Sequence, residues 1–247
     1  MAERKIIVLN DAGELYVRAA EEIAHIAGES ICTHGEFSIC LSGGLTPAAT
    51  YELLATRFHL SVDWKELQFF WGDERCVPPD DPESNFAMVN RTMLSKLGLR
   101  SEQVHRMRGE DDPANAARAY EEELRSHFGV GEGEFPRFDL ILLGLGDNRH
   151  TASLFPGDAA IHETQRLVAA VEVDAVPRRR LTLTPPVINH AQRVMFLVAG
   201  QNKAAAVKDV LEGPCDADKY PAQIVAPLNG EVIWMLDKAA ASLLANR

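Results

Sequence analysis

Two observations predict an α/β chain with a largely parallel sheet. Short apolar runs such as Phe37–Leu41 (FSICL), Leu67–Trp71 (LQFFW) and residues 194–199 (VMFLVA) recur along the chain, with helically spaced stretches between them. Several of these runs end at or next to glycine, as a strand buried on both faces does before a turn. Alternation of this kind implies parallel strands covered by helices on both sides. No shift in composition marks a boundary, so residues 1–247 are read as one domain.

Residues 5–9 are the first strand. Asp11 then opens a helix, Glu14 completes an Asp-x-x-Glu cap, and Leu15, Ala19, Ile23, Ile26 and Ala27 follow at helical spacing up to a stop at Gly28. The FSICL strand delivers Ser42-Gly43-Gly44-Leu45-Thr46-Pro47 into a second helix, whose first turn suits Pro47. Leu67–Trp71 ends in Gly72-Asp73-Glu74-Arg75, and Ser84 caps the helix that carries Phe86, Val89 and Met93. Residues 104–107 read as a short strand and 113–128 as a charged surface helix. Residues 138–143 are an almost wholly apolar strand closed by Gly144. Strands at 167–173, 180–184 and 194–199, a turn or short helix after Pro185-Pro186, a helix at 202–211 and a strand at 232–236 follow. Asp237 is read as the cap of a C-terminal helix.

A hydrophobic content of 46% and a charged content of 25% are ordinary for a globular protein. The net charge of -11 argues against nucleic acid or an anionic membrane as partner, so an anionic ligand would need local basic contacts. Four cysteines show neither CxxC nor zinc spacing, and Cys32 and Cys40 read as small core residues of a reducing compartment. No signal-peptide core opens the chain, and no apolar run reaches the ~18 residues of a membrane span. A cytoplasmic location is expected.

Four loops carry the chemistry. Residues 144–153 bring Asp147, Asn148, Arg149, His150, Thr151 and Ser153 together beyond a buried strand, where ligands sit in open α/β sheets. An exposed histidine on an ordinary connection is the alternative. SGGLTP runs into a helix and offers backbone N–H groups to a phosphate, or is simply a tight glycine turn. In GDER, Asp73 or Glu74 can serve proton transfer and Arg75 can hold an anion, unless the group is a surface ion-pair cluster. Arg178-Arg179-Arg180 is the densest positive charge, two of its members read as a solvated face, and Lys203 lies near a helix start that disfavours a cation without an anion. No motif for a metal, a serine nucleophile or a dinucleotide is present.

At SGGLTP (42–47), FFWGDERCVPPDDPESNF (69–86), LLGLGDNRHTASLFPG (142–157), RRLTLTPPVIN (179–189) and Gly200…Lys203, the sequence resembles the 6-phosphogluconolactonase family. The resemblance implies a Rossmann-like three-layer α/β/α sandwich and hydrolysis of 6-phospho-D-glucono-1,5-lactone without metal or cofactor. It implies that Ser42, Gly43, Gly44, Thr46, Arg180 and Lys203 hold the sugar phosphate. His150 would be the general base, with Asp73 and Arg75 at the reacting end and Asn148 among the substrate-binding residues. The expected partner is a small sugar-phosphate lactone, and the expected state a monomer or small homo-oligomer. A glucosamine-6-phosphate deaminase, similar in the SGG and His loops, typically carries Asp-Glu-Tyr where this chain has Asp73-Glu74-Arg75. The family usually reads Asp-Gly-His where this chain reads Asn148-Arg149-His150, which leaves a catalytically silent sugar-phosphate sensor as a further alternative.

Overall fold

The structure, a computed structural model, describes residues 3–245; the ends of the expected domain, Met1–Ala2 and Asn246–Arg247, lie outside them. The strands are β1 (Glu3–Leu9), β2 (Phe37–Leu41), β3 (Leu67–Trp71), β4 (Asp73–Arg75), β5 (Val104–His105), β6 (Leu140–Leu143), β7 (Val168–Glu172), β8 (Arg179–Leu183), β9 (Arg193–Val198) and β10 (Glu231–Asp237). The helices are α1 (Ala12–His34), α2 (Leu45–Thr56), α3 (Asn85–Thr92), α4 (Pro113–Phe128), α5 (Pro185–His190) and α6 (Ala204–Glu212). Among the described residues no helix is long and apolar enough to cross a membrane.

Seven strands form one wholly parallel sheet in the order β1-β10-β9-β6-β2-β3-β5. β2 and β6 are buried at every position, as strands in the middle of a helix-covered parallel sheet must be. From β2 the chain moves outward through β3 to β5, then returns to β6 and moves the other way through β9 to β10. The direction reverses between β2 and β6, which is where open α/β sheets bind ligands.

A second, antiparallel sheet of β4, β8 and β7 lies beside the first. The sequence reading treats 73–75 as loop and does not anticipate this pairing, because three residues carry too little alternation to reveal a strand. Gly72 is the joint: its N–H donates to Leu41 O at 2.9 Å and its carbonyl accepts from Leu183 N–H at 2.8 Å.

Other departures have local causes. α1 passes through Gly28 and ends where Gly35, at φ 92°, donates to Ile31 O at 2.9 Å. The extra turns leave Cys32 exposed on the last part of α1, while Cys40 is buried as expected. Glu14 caps Asn10 N–H at 2.7 Å while Asp11 accepts from Glu14 N–H. After Asp237 the chain makes turns closed by Ser242 N–H to Ala239 O and Leu244 N–H to Ala241 O, and not the expected helix. The Asp237 carboxylate is shared between Ala240 N–H at 2.7 Å and Gly200 N–H at 3.1 Å, so it braces the turn after β9 as well.

Asp139 interrupts the apolar run that leads into β6, and the structure gives it a task at the amino edge of the sheet. Its buried carboxylate accepts from Ser38 N–H at 2.9 Å and Ser38 Oγ at 2.8 Å, with His34 Nε2 at 2.9 Å. It therefore locks β2 to β6 and to the end of α1. Asp139→Ala orphans two buried donors, and we expect it to lower stability by roughly 2–4 kcal/mol. Urea unfolding measures the loss; an unchanged His150 ring resonance would show that the opposite edge is undisturbed.

Candidate active site

Four neighbouring strands, β9, β6, β2 and β3, end at one edge, and the connection after each reaches the same cavity of about 500 Å³. Its lining includes Ser42, Gly43, Gly44 and Thr46 after β2; Asp73 and Arg75 after β3; His150 after β6; Asn202 and Lys203 after β9; and Arg180 from β8. Nine of the ten residues that the resemblance assigns to the site thus share one space.

The exception is Asn148, which does not line the cavity. It turns to the back of His150, where its Oδ1 lies 2.5 Å from Nδ1 and also accepts from His150 N–H at 3.4 Å. A backbone N–H only donates, so the amide presents its oxygen here, and Nδ1 carries the proton. Nε2 is left as the basic nitrogen. The ring stacks on Phe155 with centroids 4.1 Å apart and planes 13° apart. Gly146 makes room for it: a Cβ there would sit 2.0 Å from His150 Nδ1, so any other residue would displace the imidazole. Burial, opposed by the charge of Asp73 and reinforced by Lys203, Arg180 and Arg75, pushes the His150 pKa down to about 4.

Pleating sorts the GDER residues. Asp73 and Arg75 on β4 pair with Thr182 and Arg180 on β8, and directly opposed residues share a face, so Asp73, Arg75 and Arg180 look into the cavity together. Glu74 falls on the other face. Its buried carboxylate accepts from Arg75, Asn85 and Phe86 N–H at 2.7–2.8 Å and from Ser84 Oγ at 3.1 Å, holding the start of α3. Desolvation raises its pKa despite those donors. Glu74, one alternative for proton transfer at this strand end, is not among the residues that line the cavity. Asp73 accepts from Ser153 Oγ at 2.7 Å and from Asn85 Nδ2 at 3.2 Å.

Arg75 and Arg180 are like charges in direct register. Arg180 is buried, its Nε donates to Pro177 O at 2.7 Å, and desolvation together with Arg75 lowers its pKa. Arg178 and Arg179 are exposed. Arg75 donates to Glu83 O at 2.6 Å through Nη1, but its Nε is buried without a partner. Ser42 Oγ, also on the cavity, is buried without a partner as well. The backbone of Ser42 is held by Tyr51, whose hydroxyl accepts from Ser42 N–H and donates to Ser42 O, each at 3.0 Å. Gly44, at φ 105°, then opens α2, whose first N–H groups have no partner within the helix. Lys203 pairs with Asp147 Oδ1 at 2.6 Å, which answers the cation at the helix start.

Sequence reasoning missed Asn85. It lines the cavity, binds both the carbonyl and the carboxylate of Asp73, and approaches Gly43 so closely that a Cβ there would meet Asn85 Oδ1 at 1.9 Å. Its position directly after a good N-cap serine hid it, since that place reads as helix start alone.

A parallel α/β fold with a cavity at its strand reversal, lined by a histidine and three cations, defines the class of open α/β proteins whose small-molecule site lies at the carboxyl ends of the strands. Comparison with known proteins narrows it. The model of the glucosamine-6-phosphate isomerase/6-phosphogluconolactonase family matches residues 10–234, and the chain belongs to that family. It is 38% identical to a 6-phosphogluconolactonase of Nostoc over 98% of this chain and 99% of that one. It is 42% identical to one of Synechocystis over 87% and 88%. The solved 6-phosphogluconolactonase of Trypanosoma cruzi superposes with a TM-score of 0.87 at 32% identity, covering 99% of this chain and 98% of that one.

An imidazole with a pKa near 4 is neutral through the whole neutral range and becomes charged only as the pH falls through that value. Replacing Asn148 by Asp puts a negative charge against Nδ1, favours the imidazolium, and should raise that pKa by roughly 1–3 pH units. NMR titration of the His150 ring in both proteins tests this; equal midpoints would sink it.

Proposed function

We propose that this protein hydrolyses 6-phospho-D-glucono-1,5-lactone to 6-phosphogluconate, with His150 as general base. The observation that carries the reading is the convergence of one neutral imidazole and three cations on a single cavity, in a family whose similar members are named lactonases. The substrate's phosphate is held by Arg180 and Lys203 with the Ser42–Thr46 turn and the start of α2. That end fixes the sugar, and the lactone carbonyl then lies toward His150.

Nε2 of His150 takes a proton from a water molecule as its oxygen bonds to C1. The carbonyl oxygen becomes an oxyanion, which Arg75 stabilises. The C1–O5 bond breaks as the intermediate collapses, and the imidazolium returns its proton to O5. The carbon chain leaves as an open hydroxy acid, whose carboxyl group ionises. Asp73, held by Ser153 and Asn85, supplies the negative charge that stabilises the transient imidazolium.

Two outcomes test the assignment, each read as hydrolysis above the spontaneous opening of the lactone. Arg180→Ala or Lys203→Ala should raise KM for the phosphorylated lactone by the equivalent of about 1.5–3 kcal/mol, while unphosphorylated gluconolactone is little affected. Equal losses on both substrates would overturn the phosphate assignment. His150→Ala should lower kcat by roughly 10²–10⁴-fold while 6-phosphogluconate still binds. Normal kcat in that variant would move the base elsewhere, with Asp73 the next to examine.

A further inference from the structure

The residue just before His150 is Arg149, and it occupies a backbone conformation, φ 70°, that glycine adopts freely and a long side chain does not. The side chain has a definite engagement. Nε and Nη2 donate to Asp209 Oδ2 on α6, at 2.8 and 2.5 Å, and Nη1 donates to Asp147 O at 2.8 Å. Its backbone is held too: Arg149 N–H donates to Gly146 O at 2.9 Å, and Arg149 O accepts from Ala222 N–H at 3.1 Å.

Two ion pairs of opposite polarity therefore join the His150 loop to α6, one at Lys203 just before the helix and one at Asp209 in its second turn. Asp147 reaches Lys203, and Arg149 reaches Asp209. Only the first touches the cavity, because Lys203 lines it whereas Arg149 and Asp209 do not. A phosphate drawn to Lys203 competes with Asp147 for that ammonium and loosens the first tie as the ligand arrives. The second tie lies out of reach of the ligand. We infer that Arg149 is a positioning residue whose clamp on Asp209 keeps Asn148 and His150 in register while Lys203 is engaged with the substrate. The inference rests on the proposed lactonase reading, with His150 as base and Lys203 on the phosphate.

The experiment compares Arg149→Gly, Arg149→Lys, Asp209→Asn and the double variant Arg149→Gly/Asp209→Asn in lactone hydrolysis, with thermal unfolding alongside. Glycine relieves the backbone at position 149 while deleting the clamp, so stability and catalysis are separable. We expect Arg149→Gly and Asp209→Asn each to lower kcat about tenfold, the order of effect that a small misplacement of a reacting group produces. KM should stay within about twofold and Tm within a few degrees. The double variant should be no worse than Arg149→Gly, and Arg149→Lys should recover part of the loss. Unchanged kcat in Arg149→Gly would overturn the inference, as would losses that multiply in the double variant or that follow a collapse of Tm. His150→Ala separates the two levels: normal kcat there removes the base itself, whereas its loss beside an intact Arg149→Gly removes only the clamp.

Discussion

Arg75 opposite Arg180 is the constraint around which the site is organised. Two guanidinium groups in direct cross-strand register repel each other, and β4 has only three residues with which to hold that register. Lys203 adds a third positive charge to the same cavity. In a chain with a formal net charge of -11, such a local reversal of sign is informative. Neighbouring surface carboxylates temper it only in part, since Asp147 takes Lys203 and Glu83 takes one face of Arg75. Arg75 Nε and Ser42 Oγ keep unused hydrogen-bonding capacity beside them. A dianionic phosphate and a developing oxyanion are the kinds of charge that relieve this arrangement.

The parallel sheet makes the convergence possible. Strands β9, β6, β2 and β3 are neighbours, and parallel pairing forces all four carboxyl ends to the same edge, where residues far apart in sequence meet. The antiparallel sheet then supplies what parallel strands do not: a short wall that turns back over that edge and offers one pleated face. Gly72 lies between the two, bonded to β2 on one side and beside Leu183 on the other. Asp139 secures the central pair at the far edge, so the middle of the sheet and the cavity loops are held by different groups of hydrogen bonds.

The sheet and most of the candidate cavity's lining were legible in the sequence because they depend on local signals. FSICL, LQFFW and VMFLVA announce buried strands by composition, and Ser84, Asp11 and Pro47 announce helix starts by their capping chemistry. The glycine turns show where the chain must bend at a strand end. What was not legible depends on partners distant in sequence. β4 pairs with β8 next to the bond from Leu183 N–H to Gly72 O, and in that register Asp73 lines the cavity while Glu74 holds the start of α3. Gly28 reads as a stop locally, yet α1 carries a further turn and more to reach Gly35. The orientation of Asn148 and the reach of Arg149 to Asp209 are facts of side-chain geometry, with no periodicity to betray them.

Asn148 shows how a departure from the family pattern can keep one property of a carboxylate and give up another. Its oxygen still accepts from Nδ1, so the imidazole keeps its orientation and its tautomer. Its charge is gone, and burial, reinforced by Lys203, Arg180 and Arg75, makes the imidazole a weak base that is neutral at neutral pH. Weak basicity costs driving force for taking a proton from water. The same low proton affinity makes the imidazolium a strong acid, which in the proposed reaction would favour protonation of the departing ring oxygen. On the proposed reading, the negative charge of Asp73 offsets the cost in the first half of the reaction, and the cations favour the second. The feature that raised the possibility of a silent sensor is, geometrically, the group that holds the His150 ring in place.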